Sequence, residues 1–163
     1  MTGHPVQSHA GAVTRTAKVQ RTQWVGQFLA AAELVRRGYL VSFTMGNTPL
    51  ADLMVARPDG SSSFLVDVKG QSQNGAWLIR SKPTHGNLFY ILVRVGEGRA
   101  EDRFFILSHQ QINDLIAVQK RIGEAKGLRD LGGFLWAAAL PYEGKWNVLP
   151  GCPIDFSGNA SSR

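Results

Sequence analysis

Asp67 and Lys69 stand at alternate positions in the run Ser62-Ser63-Phe64-Leu65-Val66-Asp67-Val68-Lys69-Gly70. In the two-residue period of a β-strand, Phe64, Val66 and Val68 point one way and Leu65, Asp67 and Lys69 the other. A carboxylate and an ammonium therefore share one face at the end of an apolar, β-branched run. Upstream, Leu50-Ala51-Asp52-Leu53-Met54-Val55 places a second carboxylate, Asp52, in a similar apolar setting. Between the two runs, Arg57-Pro58-Asp59-Gly60-Ser61 has the Pro-Asp-Gly order of a tight turn. The turn makes a hairpin and brings together two acids that are fifteen positions apart in the chain. Two carboxylates at close range repel unless a cation lies between them, and hard oxygen ligands that leave positions open for water suit Mg²⁺, with Mn²⁺ as a substitute. A neighbouring lysine can orient a metal-bound water and offset the charge that develops on a phosphate under attack. The chemistry these residue types suit is metal-assisted phosphodiester hydrolysis.

At these residues the chain resembles the PD-(D/E)xK nuclease superfamily, which includes many restriction endonucleases and the Holliday junction resolvases. The family pattern is an acid in a helix, an acid at the second strand and an acid-x-Lys on the third, which here reads Gln27, Asp52 and Asp67-Val68-Lys69. The resemblance spans about Thr22 to Val95. It implies a restriction-endonuclease-like α/β core, a mixed central β-sheet flanked by α-helices, and an Mg²⁺-dependent endodeoxyribonuclease of the resolvase, defence or mobile-element kind. Asp52 and Asp67 would hold the metal, the Val68 carbonyl would complete the ligand set, and Lys69 would position the attacking water. Gln27 departs from the pattern: where many members carry glutamate, an amide hydrogen-bonds water but adds no charge, which implies at most one tightly held ion. Gln71, Arg80 and Lys82 follow the triplet closely and are candidate nucleic-acid contacts. One such site cuts one strand, so double-strand cutting or junction resolution calls for a homodimer.

Several elements must position these groups. Trp24, Phe28, Ala31, Ala32 and Val35 recur at helical spacing between Thr22 and Arg37, and Gly38 is a good stop. Glu33 can pair with Arg36 or Arg37 on that helix. Tyr39 to Thr44 reads as a short strand, Ala76-Trp77-Leu78-Ile79 as an edge strand and Phe89 to Val95 as a central one. Ser108-His109-Gln110-Gln111 has the order of a capping box opening a second helix, with His109 on its surface and Ile112, Leu115 and Ile116 on its apolar side. Trp136 and Trp146 could stack on bases, but tryptophans in apolar runs more often pack. Residues 1–20 read as a flexible N-terminal arm, 21–150 as a single domain and 151–163 as a tail.

At 163 residues the chain is long enough to bury a core, and 44% hydrophobic with 18% charged residues describes a globular protein. Eighteen basic against twelve acidic side chains leave a formal charge of +6, which favours a polyanionic partner, nucleic acid and DNA first, although charge alone does not specify one. The single cysteine, Cys152, excludes an internal disulfide and lies in no zinc-spaced cluster. The polar N-terminus and the lack of an apolar run of about 20 residues argue against export and membrane insertion, so the expected location is the cytoplasm. Two other readings compete with an active nuclease. One is a catalytically weak or inactive nuclease-fold module that binds DNA or a protein. In the other, Asp52, Asp67 and Lys69 are a structural ion cluster in an unrelated α/β protein.

Overall fold

The computed structural model describes residues 15–44, 50–98 and 101–152. Helix α1 (Arg15–Arg36) leads into strands β1 (Leu40–Phe43), β2 (Leu53–Ala56), β3 (Ser63–Gln71), β4 (Leu88–Arg94) and β5 (Arg103–Ser108), followed by helix α2 (His109–Ala125) and a one-turn helix α3 (Trp136–Ala139). The strands lie in the order β1-β2-β3-β4-β5. Neighbours pair antiparallel except β3 and β4, which run parallel. The protein is thus an α/β domain with a five-stranded mixed sheet flanked by helices.

The turn chemistry between β2 and β3 is as its residues dictate. Gly60 takes φ 72°, open to a residue without Cβ, and its N–H donates to the Arg57 carbonyl at 3.0 Å. The Asp59 carboxylate accepts from the Ser61 N–H at 3.0 Å. The resulting register places Leu53 opposite Val66, where the ladder ends, and Asp52 just before it donates its N–H to the Val66 carbonyl at 2.9 Å.

The two sheet faces bury separate cores. Phe64, Val66 and Val68 of β3 pack with Leu53, Val55, Ile91 and Val93 beneath Ala30, Ala31 and Leu34 of α1. On the other face Leu88, Tyr90 and Leu92 of β4 meet Phe105 and Leu107 of β5, Ile112 of α2, and Trp77, Ile79 and Phe134. β4 is buried along nearly its whole length, as a central strand must be.

Helix α1 differs from expectation in two ways. It starts at Arg15 and not near Thr22, so residues 15–20 belong to the helix and only 1–14 of the supposed arm lie outside the described residues. Thr16 to Arg21 are exposed, and Ala17, Lys18, Gln20 and Arg21 favour helix without apolar periodicity to announce it. Nor is the expected stripe the buried one: Ala31 is buried, but Trp24, Phe28, Ala32 and Val35 are exposed, and Gly26, Gln27, Ala30 and Leu34 join Ala31 in facing the sheet. The reason is close approach. A Cβ on Gly26 would stand 2.9 Å from Gly70 Cα, and one on Gly70 would stand 2.6 Å from the Thr22 carbonyl oxygen. Only a face of small residues lets the helix backbone lie this near the strand.

The segment 76–79 is not an edge strand. Parallel pairing of β3 and β4 requires a crossover, and residues 72–87 supply it, running across the α2 face with Trp77 and Ile79 buried. Its one ladder contact is a bridge between Trp77 and Phe134, with the Trp77 N–H donating at 2.8 Å and its carbonyl accepting at 3.1 Å. The capping box at α2 is present: the Ser108 side chain accepts from the Gln111 N–H and Gln111 Oε1 accepts from the Ser108 N–H. His109, expected on the surface, is buried, because it opens the helix on the side that rests on Tyr90. Glu33 pairs with both Arg36 and Arg37, as its spacing indicated. Trp136 packs on Trp77 and Phe105, and Trp146 lies under the Arg37 guanidinium. Residues 153–163 of the expected tail lie outside the described residues, and no helix among those described is long and apolar enough to cross a membrane.

The helix-strand contact can be tested directly. Gly70→Ala must push α1 from β3 and is expected to cost about 1–3 kcal/mol, the usual range for overpacking, measured by urea denaturation; an unchanged midpoint would refute the close approach.

Candidate functional site

The candidate site forms where β3 outruns β2. β2 begins at Leu53, whereas β3 continues to Gln71, so beyond Val66 one edge of β3 has no strand beside it. Side chains and one peptide group take its place. The Asp52 N–H donates to the Val66 carbonyl at 2.9 Å, and Asp52 Oδ2 accepts from the Val68 N–H at 2.8 Å. Gln23 of α1 donates through Nε2 to the Val68 carbonyl at 2.5 Å and accepts through Oε1 from the Gly70 N–H at 2.9 Å. A glutamine amide carries the same donor and acceptor as a peptide, so Gln23 extends the ladder by one unit. One turn further along, Gln27 donates through Nε2 to Asp52 Oδ1 at 2.8 Å.

Asp67 is only 4% exposed. Lys69 Nζ lies 2.5 Å from its Oδ1 and Lys82 Nζ 3.9 Å from its Oδ2. The Lys69 ammonium thus offsets the charge of Asp67, whose Oδ1 is buried. Tyr90, the register partner of Asp67 on β4, and His109 of α2 stand close by with ring centroids 5.6 Å apart. The Tyr90 hydroxyl and His109 Nε2 are both buried without a partner. His109 Nδ1 accepts from the His85 N–H at 3.0 Å, so the proton of the neutral ring resides on Nε2.

Burial is the leading influence on the titrating groups. It raises the Asp52 carboxyl above its ordinary range; the Val68 N–H pulls it back, and the negative charge of Asp67 pushes it up again. Burial also raises the Tyr90 phenol, with Asp67 adding to the rise. The His109 imidazole is lowered by burial and then by Lys82 and His85, with Asp67 opposing. Two acids within electrostatic reach of each other, one of them reluctant to ionise, form a place where a cation would relieve both desolvation and repulsion.

Gln27, Asp52, Asp67, Lys69 and Lys82 are thus brought together, with Asp52 one residue ahead of β2 and not inside it. The Val68 carbonyl, expected to complete a metal's ligand set, is committed to Gln23. Arg80 is exposed, two residues before Lys82 on the crossover. Gln71 is the last residue of β3, and its buried amide nitrogen has no partner. Sequence reasoning missed Gln23, whose signal was its spacing of four from Gln27, and missed Tyr90 and His109. Among the described residues, no group of three or more His, Cys, Asp or Glu side chains gathers as a metal site. No protein-family model, curated protein or solved structure matches this chain.

The raised Asp52 pKa has a definite sign. Asp52 binds its proton more tightly folded than unfolded, so ionising it costs stability. That cost is absent below the ordinary carboxylate pKa of about 3.9 and complete once the pH has risen through the raised value. Without divalent cations, Asp52→Asn, to which Gln27 can present its amide oxygen, is expected to melt above wild type at about pH 7, with the difference vanishing towards about pH 4. A variant that melts lower at neutral pH would mean that hydrogen bonds to the carboxylate outweigh its burial.

Proposed function

We propose that this protein is a metal-dependent phosphodiesterase acting on nucleic acid, most simply an endodeoxyribonuclease with a restriction-endonuclease-like arrangement. The observation that carries the reading is the gathering of Asp52 and Asp67 within electrostatic reach of each other at the open edge of β3, with Lys69 against Asp67 and Gln27 reaching Asp52 from α1. The donor chemistry fits one hard divalent cation such as Mg²⁺ or Mn²⁺ held by Asp52 and Asp67 with water filling the remaining positions. When bound, such an ion would supply Lewis-acid stabilisation of a phosphate oxygen.

The chain's own residues carry the remaining roles. Asp67 holds the Lys69 ammonium beside the site, where it can orient an attacking water and balance the negative charge that grows on the phosphoryl oxygens. Water's oxygen bonds to phosphorus as the ester P–O bond breaks, one proton leaves the water, and the departing oxygen takes one up. Gln27 orients Asp52 without adding charge. Lys82 and Arg80, on the crossover next to the site, are suited to hold flanking phosphates, and the net charge of +6 favours such a ligand. Cutting both strands of a duplex would need two copies of the chain.

A second reading is favoured by one specific observation: the site is partly closed on itself. Gln23 caps the Val68 carbonyl, Gln27 caps Asp52, and Lys69 is drawn onto Asp67. A module that binds nucleic acid and leaves it intact would look the same.

Nicking of supercoiled plasmid separates the two. Wild type is expected to cut with Mg²⁺ or Mn²⁺ and not with chelator, and Lys69→Ala, shown to be folded by circular dichroism, is expected to lose about 10²-fold or more in rate. Binding without cleavage by both proteins would instead establish the binding module.

A further inference from the structure

Trp24 and Phe28 lie one turn apart on α1 and are 51% and 59% exposed. Their rings stack with centroids 6.0 Å apart at 29°, and Phe28 leans on Phe43 of β1 at 5.3 Å. Short steps of chain tie this run of rings to the candidate site. Gln27, which precedes Phe28, holds Asp52, and Gln23, which precedes Trp24, holds Val68 and Gly70. Phe43 precedes Thr44, whose N–H donates to the Asp52 carbonyl at 3.0 Å. The rings therefore lie on the β1 side of the helix whose Gln23 and Gln27 reach the open edge of β3 and Asp52.

The charge on the N-terminal turns of the helix is one-sided. Lys18 and Arg21 are exposed on the same helix, and no acidic residue occurs from Arg15 to Gln27. An apolar, flat, rigid surface set in positive charge complements a ligand that is itself flat, apolar on its faces and negatively charged along its chain. Bases within a duplex already stack on one another and offer no face, whereas an unpaired base does.

We propose that Trp24 and Phe28, braced by Phe43, form a stacking platform for an unpaired nucleobase beside the candidate site, so that its preferred ligand is a single strand or an unpaired overhang and not uninterrupted duplex. The proposal rests on the phosphodiesterase reading for what the neighbouring carboxylates do. It also explains why the most apolar stripe of α1 is not the stripe that packs on the sheet.

Binding measured in chelator keeps the two readings apart. Fluorescence anisotropy would compare a labelled single-stranded oligonucleotide with a blunt duplex of the same sequence, using wild type, Trp24→Ala and Trp24→Phe. Wild type should favour the single strand. Trp24→Ala should lower the ratio of single-strand to duplex affinity by about tenfold, and Trp24→Phe should restore most of it, since one base stacked on one ring is worth this much. The salt dependence should not change, because the lost contact carries no charge. Equal weakening of both ligands, no weakening, no binding of either ligand by wild type, or conversion of a dimer to monomers by Trp24→Ala in sedimentation would overturn the platform. A selective loss would stand even if plasmid nicking failed, and nicking with no effect at Trp24 would keep the catalytic reading and reject the platform.

Discussion

Backbone contact between α1 and β3 at Gly26 and Gly70 is the constraint on which the site depends. A helix normally rides on a sheet at the distance set by its side chains. Here the absence of two Cβ atoms removes that spacer, and the Gln23 side chain can then reach the unpaired edge of β3. The edge needs such help, because an unpaired N–H or C=O buried from water is costly. A glutamine amide is the side chain that can answer both groups at once. Gln27 follows on the same face and fixes Asp52, so one helix turn sets both the end of the sheet and the orientation of a carboxylate.

The electrostatics follow from that placement. Asp52 would be an unremarkable acid in water; beside Asp67 and away from solvent it resists ionising, even though the Val68 N–H favours its charged form. Asp67 is buried more deeply and has two lysines near it, one from its own strand and one from the crossover. Positive charge is thus gathered around one acid while the other is served by neutral donors. This asymmetry gives the two carboxylates different surroundings, one in contact with ammonium groups and the other held by an amide and a peptide N–H.

Much of this was legible in the chain. The alternation of Phe64, Val66 and Val68 against Asp67 and Lys69, and the Pro-Asp-Gly turn, were enough to place the two acids on adjacent antiparallel segments, since both signals are local. The capping box at Ser108 and the pairing of Glu33 with Arg36 and Arg37 were legible for the same reason. What could not be read was set by distant partners. Which stripe of α1 is buried depends on Gly70, far along the chain, so periodicity favoured the larger and more apolar residues. Trp77 looks like part of a strand by composition, yet the parallel pairing of β3 and β4 turns its segment into a crossover. His109 carries no sign in the sequence of the Tyr90 ring beneath it.

The parallel pair also sets the range of the contacts. β1, β2 and β3 pair with neighbours close in sequence, which carries little loop entropy, whereas β4 joins β3 only after residues 72–87 have been laid across a face of the sheet. The α1 to β3 portion contains Gln27, Asp52, Asp67 and Lys69, but the wall behind Asp67 is Tyr90 of β4. Local folding can therefore bring the acids into line, but only closure of the crossover takes Asp67 out of water. The burial at the site thus rests on the pairing that spans the longest connection in the sheet.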